Sequence, residues 1–125
     1  MLASSYRNLS VWKSGIQIAK KIYRFSLELP KQELYGLASQ MQRAAVSIST
    51  NIAEGHARDS SKEFLHFLRI ARGSLAELKT LLTVASELGY IKEKLNKELL
   101  SDCDQIGRMI TGLRKSILQR LHKNP

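Results

Sequence analysis

Between Phe64 and Ala85, apolar residues recur at Phe64, Leu68, Ala71, Leu75, Leu78, Leu82 and Ala85, in alternating steps of four and three. The same steps return at Leu99, Cys103, Ile106, Ile110, Leu113 and Ile117. This spacing puts every member on one stripe of an α-helix, whereas a strand of period two would scatter them over both faces. Two long helices with matching seams are therefore predicted, and neither can bury its stripe alone.

Helix punctuation sets the other boundaries. A first helix is expected over about 10–29, with Ser10 as N-cap and Pro30 forbidding continuation. Its stripe is Val11, Ile18, Ile22, Phe25 and Leu29, beside a second row of Trp12, Ile16, Ala19 and Tyr23. A second helix is expected over about 33–54, closed by Gly55 as a left-handed cap, with Leu34, Leu37, Met41, Ala44 or Ala45, Ile48 and Ile52 inward. About a quarter turn round it lies a polar row, Gln40, Arg43, Ser47, Asn51 and Glu54, whose place at the core margin predicts contact with another helix. The third helix, 60–88, opens with the capping box Ser60-Ser61-Lys62-Glu63 and stops at Gly89. Beside its seam run Phe67, Ile70, Leu81 and Leu88, interrupted by Ser74 and Glu77. Gly73 in mid-helix costs roughly 1 kcal/mol of propensity, which a close helix approach would offset. The fourth helix is expected over about 94–121, with a frayed tail from His122 to Pro125.

Four such helices on short links predict an all-α chain, a single domain over 1–125 closed as an antiparallel up-down-up-down four-helix bundle. At 125 residues there is room for one core and not for two, and only seven Gly and two Pro interrupt the helices. Cys103 is the only cysteine, so no internal disulfide is possible; its seam position makes it a small buried hydrophobe, and the cytoplasm is the expected location. The N-terminus has no apolar signal-like core and no apolar run reaches membrane-spanning length, so no membrane partner is expected.

Charge is distributed unevenly. Lys and Arg number 20 against 11 Asp and Glu, a formal charge of +9. Residues 1–27 hold five basic side chains and no acid, and so do residues 105–125, while 28–104 hold 10 basic and 11 acidic ones. In the expected topology the start of the first helix, the end of the fourth and the link between the second and third share one end. The candidate nucleic-acid contacts are accordingly Arg7, Lys13, Lys20, Arg24, Arg58, Lys62, Arg108, Arg114, Lys115, Arg120 and Lys123. Arg108, Lys115 and His122 extend them along the outer face of the fourth helix. Such a surface neutralises phosphates without reading sequence. Only Tyr6, Trp12 and Tyr90 could stack on bases, and Trp12 fits the core better.

Catalysis has little to stand on. His56, His66 and His122 fall in a loop, a helix and a tail without metal-ligand spacing. Glu63-Phe64-Leu65-His66 has the Glu-x-x-His spacing of di-iron bundles, which need it twice with further inward glutamates. There is no phosphate loop, dinucleotide fingerprint or nucleophile elbow. A non-enzyme without cofactor, metal or small-molecule substrate is expected. Arg43 and Glu77, each beside an apolar seam, are expected to form a margin salt bridge between the second and third helices or between subunits. Gln40, Arg43, Ser47, Asn51, Phe67, Ile70 and Glu77 are the candidate interhelix or oligomer contacts.

The run from Tyr35-Gly36-Leu37-Ala38-Ser39-Gln40-Met41-Gln42-Arg43-Ala44-Ala45-Val46-Ser47-Ile48 through Asn51-Ile52-Ala53-Glu54-Gly55 resembles the signature of the "four-helix bundle protein" family. That family includes proteins encoded in intervening sequences of bacterial large-subunit ribosomal RNA genes. Val11-Trp12-Lys13, Ile22-Tyr23, Pro30 with Glu33, Glu63-Phe64, Phe67-Leu68, Ile70-Ala71, Gly73-Ser74 and Glu77-Leu78 extend the resemblance over nearly the whole chain. Ser49 departs from it, standing where many relatives carry proline. The resemblance implies a homopentameric ring. It also implies a similarity to the accessory variability determinants of diversity-generating retroelements, which partner a reverse transcriptase and bind nucleic acid through a basic surface. Two functions follow as expectations: a nucleic-acid-binding accessory protein, or a protein-interaction scaffold encoded in an rRNA intervening sequence.

Overall fold

The computed structural model describes residues 5–123. Among them are four α-helices and no strand: α1 (Ser10–Ser26), α2 (Ser39–Ala57), α3 (Ser61–Glu87) and α4 (Glu93–Lys123). The all-α expectation holds. α1 packs on α2 and α4, and α3 packs on the same two.

The seams read from the sequence form the core. All seven positions from Phe64 to Ala85 are buried, as are Leu99, Cys103, Ile106, Ile110 and Ile117, facing Ile18 and Ile22 of α1 and Met41, Ile48 and Ile52 of α2. Leu113 is half-buried against this cluster. Leu34 is exposed, contrary to expectation.

Helix ends depart from the sequence reading at several places, each for a local reason. Ser10 is the first helical residue rather than the cap; Leu9 holds the cap position with no side-chain hydrogen bond, after a short 3-10 turn (Tyr6–Asn8). α1 stops at Ser26, three residues short of Leu29, where the Ser26 hydroxyl donates to the Tyr23 carbonyl at 2.8 Å. α2 starts at Ser39, not near Glu33. Before it come a 3-10 turn (Lys31–Glu33) and a π-type stretch (Leu34–Ala38) broken at Gly36, whose φ of −110° and ψ of −108° no helix accommodates. The Glu33 carboxylate accepts from the Leu37 amide at 3.4 Å and from the Tyr90 hydroxyl at 3.3 Å, pinning this stretch to the α3–α4 link.

Gly55 is not a left-handed cap. It lies inside α2, and the residue with positive φ is Asp59, at 54°. Gly55 is needed because a β-carbon there would run into Phe64 and Phe67 of α3. The mid-helix Gly73 has no such neighbour: nothing lies within 4 Å of where its Cβ would be. The close α1–α2 approach is instead at Gly15, against the Ser49 side chain. Ser49, the residue that departs from the family pattern, is buried and donates to the Trp12 carbonyl at 3.1 Å.

At the start of α3 half of the expected capping box forms. Ser60 Oγ accepts from the Glu63 amide at 3.3 Å, while the Glu63 carboxylate turns to Arg58 at 3.6 Å. The end of α3 is a Schellman-type cap, with Gly89 at φ 75° and the Tyr90 amide donating to the Ala85 carbonyl at 2.9 Å. Of the tail expected from His122 to Pro125, His122 and Lys123 continue α4, while Asn124 and Pro125 lie outside the described residues; His56 belongs to the last turn of α2, not to a loop.

Candidate nucleic-acid interface

Each cation is positioned by the helix that carries it. Arg7 sits in the 3-10 turn before α1, held by Ser5 Oγ accepting its amide at 3.2 Å. Its guanidinium stands 5.9 Å from the ring centroids of both Tyr6 and Trp12, which meet edge-on at 5.3 Å. Trp12 packs against the core, as its spacing suggested. Lys13, Lys20 and Arg24 are exposed along α1.

The expectation that both acid-free segments merge at one end fails for the later half of α1. Lys21 lies 2.8 Å from Asp102 and 3.5 Å from Glu98, so this part of α1 sits against the early part of α4. From Asp102 to Arg120 is eighteen residues, about 27 Å of helix, so Lys20 and Arg24 stand apart from the cations closing α4. The acids of 93–104 thus neutralise part of the first basic segment, which counting charge along the chain could not reveal.

Arg58 is already engaged: it pairs with Glu54 at 3.1 Å and Glu63 at 3.6 Å, and its guanidinium stands 5.1 Å from the Phe67 ring centroid. Lys62, in the first turn of α3, and Lys115, Arg120 and Lys123, on α4, are exposed, and none of them forms an ion pair among the described residues. Cations in the last turn of α4 also complement the negative end of its dipole, so part of their field is spent locally. Arg114 is half-buried, with its Nε enclosed and without a hydrogen-bond partner. Arg108 faces a groove between α3 and α4 that Arg72 also lines. Arg72 escaped the sequence reading because it lies in the charge-balanced middle of the chain; its signal was its place next to the seam residue Ala71.

The candidate contact residues separate in the same way. The hydroxyls of Ser47 and Ser74 lie 2.8 Å apart across α2 and α3, and Asn51 Nδ2 donates to the Ser47 hydroxyl at 2.9 Å and its carbonyl at 2.8 Å. The polar row therefore does meet a neighbouring helix. Gln40, Arg43, Ser47 and Glu77 line one cleft, but no ion pair joins Arg43 to Glu77 within the chain. Phe67 is half-buried against Gly55, while Ile70 is 39% exposed. Apolar exposure that the sequence did not foretell gathers around the α1–α2 connection, where Leu27 is 85% and Tyr35 91% exposed.

No three His, Cys, Asp or Glu side chains group as a metal site among the described residues, and none of the described helices is long and apolar enough to cross a membrane.

A family model described as 23S rRNA-intervening sequence protein matches residues 7–112. The chain belongs to this family. A crystal structure of a member of the S23 ribosomal protein family from Bacteroides thetaiotaomicron VPI-5482, itself of unknown function, is similar at a TM-score of 0.77 and 22% identity, covering 84% of this chain and 95% of that one. At that identity the likeness is one of fold. No curated protein matches. The matched span leaves out the last turns of α4, so Arg114, Lys115, Arg120 and Lys123 lie beyond what the family model describes.

Proposed function

We propose that this member of the rRNA intervening-sequence family is a non-enzymatic, homo-oligomeric accessory protein that binds RNA or a DNA/RNA duplex through a basic surface, without reading sequence. The observation that carries this reading is the set of exposed cations on the first turn of α3 and the last turns of α4 that form no ion pair among the described residues: Lys62, Lys115, Arg120 and Lys123. They belong to one surface if the four helices form an antiparallel up-down-up-down bundle. Three pairings support that topology. Trp12, early in α1, meets Ser49 in the middle of α2 while Ser26, at the end of α1, meets Gln42 in the first turn of α2, and Lys79, late in α3, meets Asp104, early in α4. Assembly as a homopentameric ring would repeat the surface around an axis and turn a weak contact into avidity. A reverse transcriptase is the protein partner this reading includes, and a reverse-transcriptase gene beside this one would support it.

The experiment is RNA binding by fluorescence anisotropy across a salt series, with light scattering for the mass. Affinity should fall steeply as salt rises, and charge reversal at Arg114, Lys115, Arg120 and Lys123 should abolish it with the helical circular dichroism intact. Salt-insensitive binding, or none at low salt, sinks the reading; a monomer mass removes the ring.

The exposed Leu27 and Tyr35 favour a second reading, a scaffold whose partner is a protein. Stoichiometric co-purification of a protein that survives nuclease treatment would select it.

A further inference from the structure

The Lys79–Asp104 ion pair, at 2.6 Å, crosses one end of a groove of about 790 Å³ between α3 and α4. Ala76 and Gly107 carry so little side chain that the groove reaches down to Leu75, with the fully buried Cys103 beneath it. Arg72 and Arg108 also line it, both exposed and neither in an ion pair among the described residues. Asp104 feels both Lys79 and Arg108, so the three cations and one acid that line the groove leave it a net charge of +2 beside its apolar surface.

A nucleic-acid strand matches only half of this. The lining residues include no aromatic side chain on which a base could stack, and although Arg72, Arg108 and the hydroxyls of Thr80 and Thr111 suit phosphates, the apolar surface of Leu75, Ala76 and Gly107 between them is left uncovered by a phosphate backbone. An amphipathic helix with acidic flanks matches both halves, since apolar side chains cover that surface while carboxylates meet the arginines. The span from Arg72 to Lys79 is about 10 Å of helix, which two turns of a ligand helix would cover. We propose that the α3–α4 groove docks a short acidic amphipathic helix of a partner protein, its apolar face on Leu75 and Gly107 and its carboxylates on Arg72 and Arg108. Arg108 and Lys115 lie seven residues apart on one face of α4, so this groove adjoins the cations at the end of that helix.

The test uses the full chain and a labelled synthetic helical peptide with leucines at i, i+3, i+4 and i+7 and glutamates between, with a twin in which lysine replaces glutamate. The acidic peptide should bind at least about tenfold more tightly than its twin. Gly107→Leu fills the groove without touching charge, and Arg72→Glu with Arg108→Glu reverses charge without filling it. Each should weaken the acidic peptide about tenfold or more, and the charge reversal should invert the preference between the twins. A Cβ at residue 107 meets Leu75 Cδ2 at 3.4 Å, an ordinary contact, so Gly107→Ala folds even if the leucine variant does not, and should weaken binding in the same direction. Equal binding of the two peptides, or binding indifferent to all these variants, overturns the proposal. So does RNA that competes for the groove and is lost on charge reversal but not on Gly107→Leu, which would make the groove a phosphate site.

Discussion

A β-carbon on Gly55 would stand 2.6 Å from the β-carbon of Phe67 and 3.1 Å from Cδ1 of Phe64. The nearest obstacle is held by the α3 backbone and cannot swing aside. Gly55→Ala should therefore destabilise the fold by about 1–3 kcal/mol through overpacking, despite alanine's better helix propensity. Gly73→Ala, with nothing to meet, should stabilise it by roughly 0.5–1 kcal/mol. Urea melts of the two variants check the opposite signs; the same sign for both would contradict this account.

Ser47 and Ser74 share a hydrogen bond between α2 and α3, which Asn51 extends. Ser47→Ala and Ser74→Ala should each cost about 1 kcal/mol, since each removes the hydrogen bond that ties α2 to α3 here. The double variant should cost less than the sum by at least about 0.5 kcal/mol, because that bond can be lost only once. An additive double-mutant cycle would show that the contact carries no coupling.

Cys103 is fully buried, and burial pushes its thiol up to about 12 from 9.0. In the native protein it should resist thiol reagents at pH 8 and react at once when unfolded. The sign for stability follows from the raised value. The neutral thiol is favoured in the fold, so this group's contribution is intact below about pH 9 and is lost as pH rises from there through about 12. Cys103→Ala should flatten that alkaline decline; labelling of native protein as fast as of unfolded protein would refute the burial.

Lys21 is raised above 10.5, first by its hydrogen bond to Asp102 and, against partial desolvation, by the charges of Asp102 and Glu98. Its contribution is thus present below that value and lost as pH climbs through the higher folded one. The Lys21 side chain is 39% exposed, so Lys21→Met should cost under about 1 kcal/mol at neutral pH, and nothing above the folded value. Asp104 is lowered by Lys79, so its effect runs the other way, present above 3.8 and lost as pH falls below it. Melting temperature against pH for Lys21→Met and Lys79→Met separates the two windows.

Four helices, their order and the buried seams of α3 and α4 were legible in the sequence, because a step of four and three has one reading in a chain with few breakers. Gly89 as a stop and the Ser60 cap were legible for the same local reason. The break at Gly36 and the role of Gly55 were not. A glycine that terminates a helix and one that admits a neighbouring ring look alike until the neighbour is known. The interface was half legible: the cations were countable, but whether each is paired depends on what the fold brings opposite. The charge of Lys21 is paired with Asp102, 81 residues away, and that of Arg58 with Glu54 and Glu63. The sequence by itself determined which surfaces would be buried, because the hydrophobic period acts within a helix. Only the tertiary structure decided which charges remain free and where α3 and α4 leave a groove, because those depend on pairs of residues that helix packing alone brings within reach.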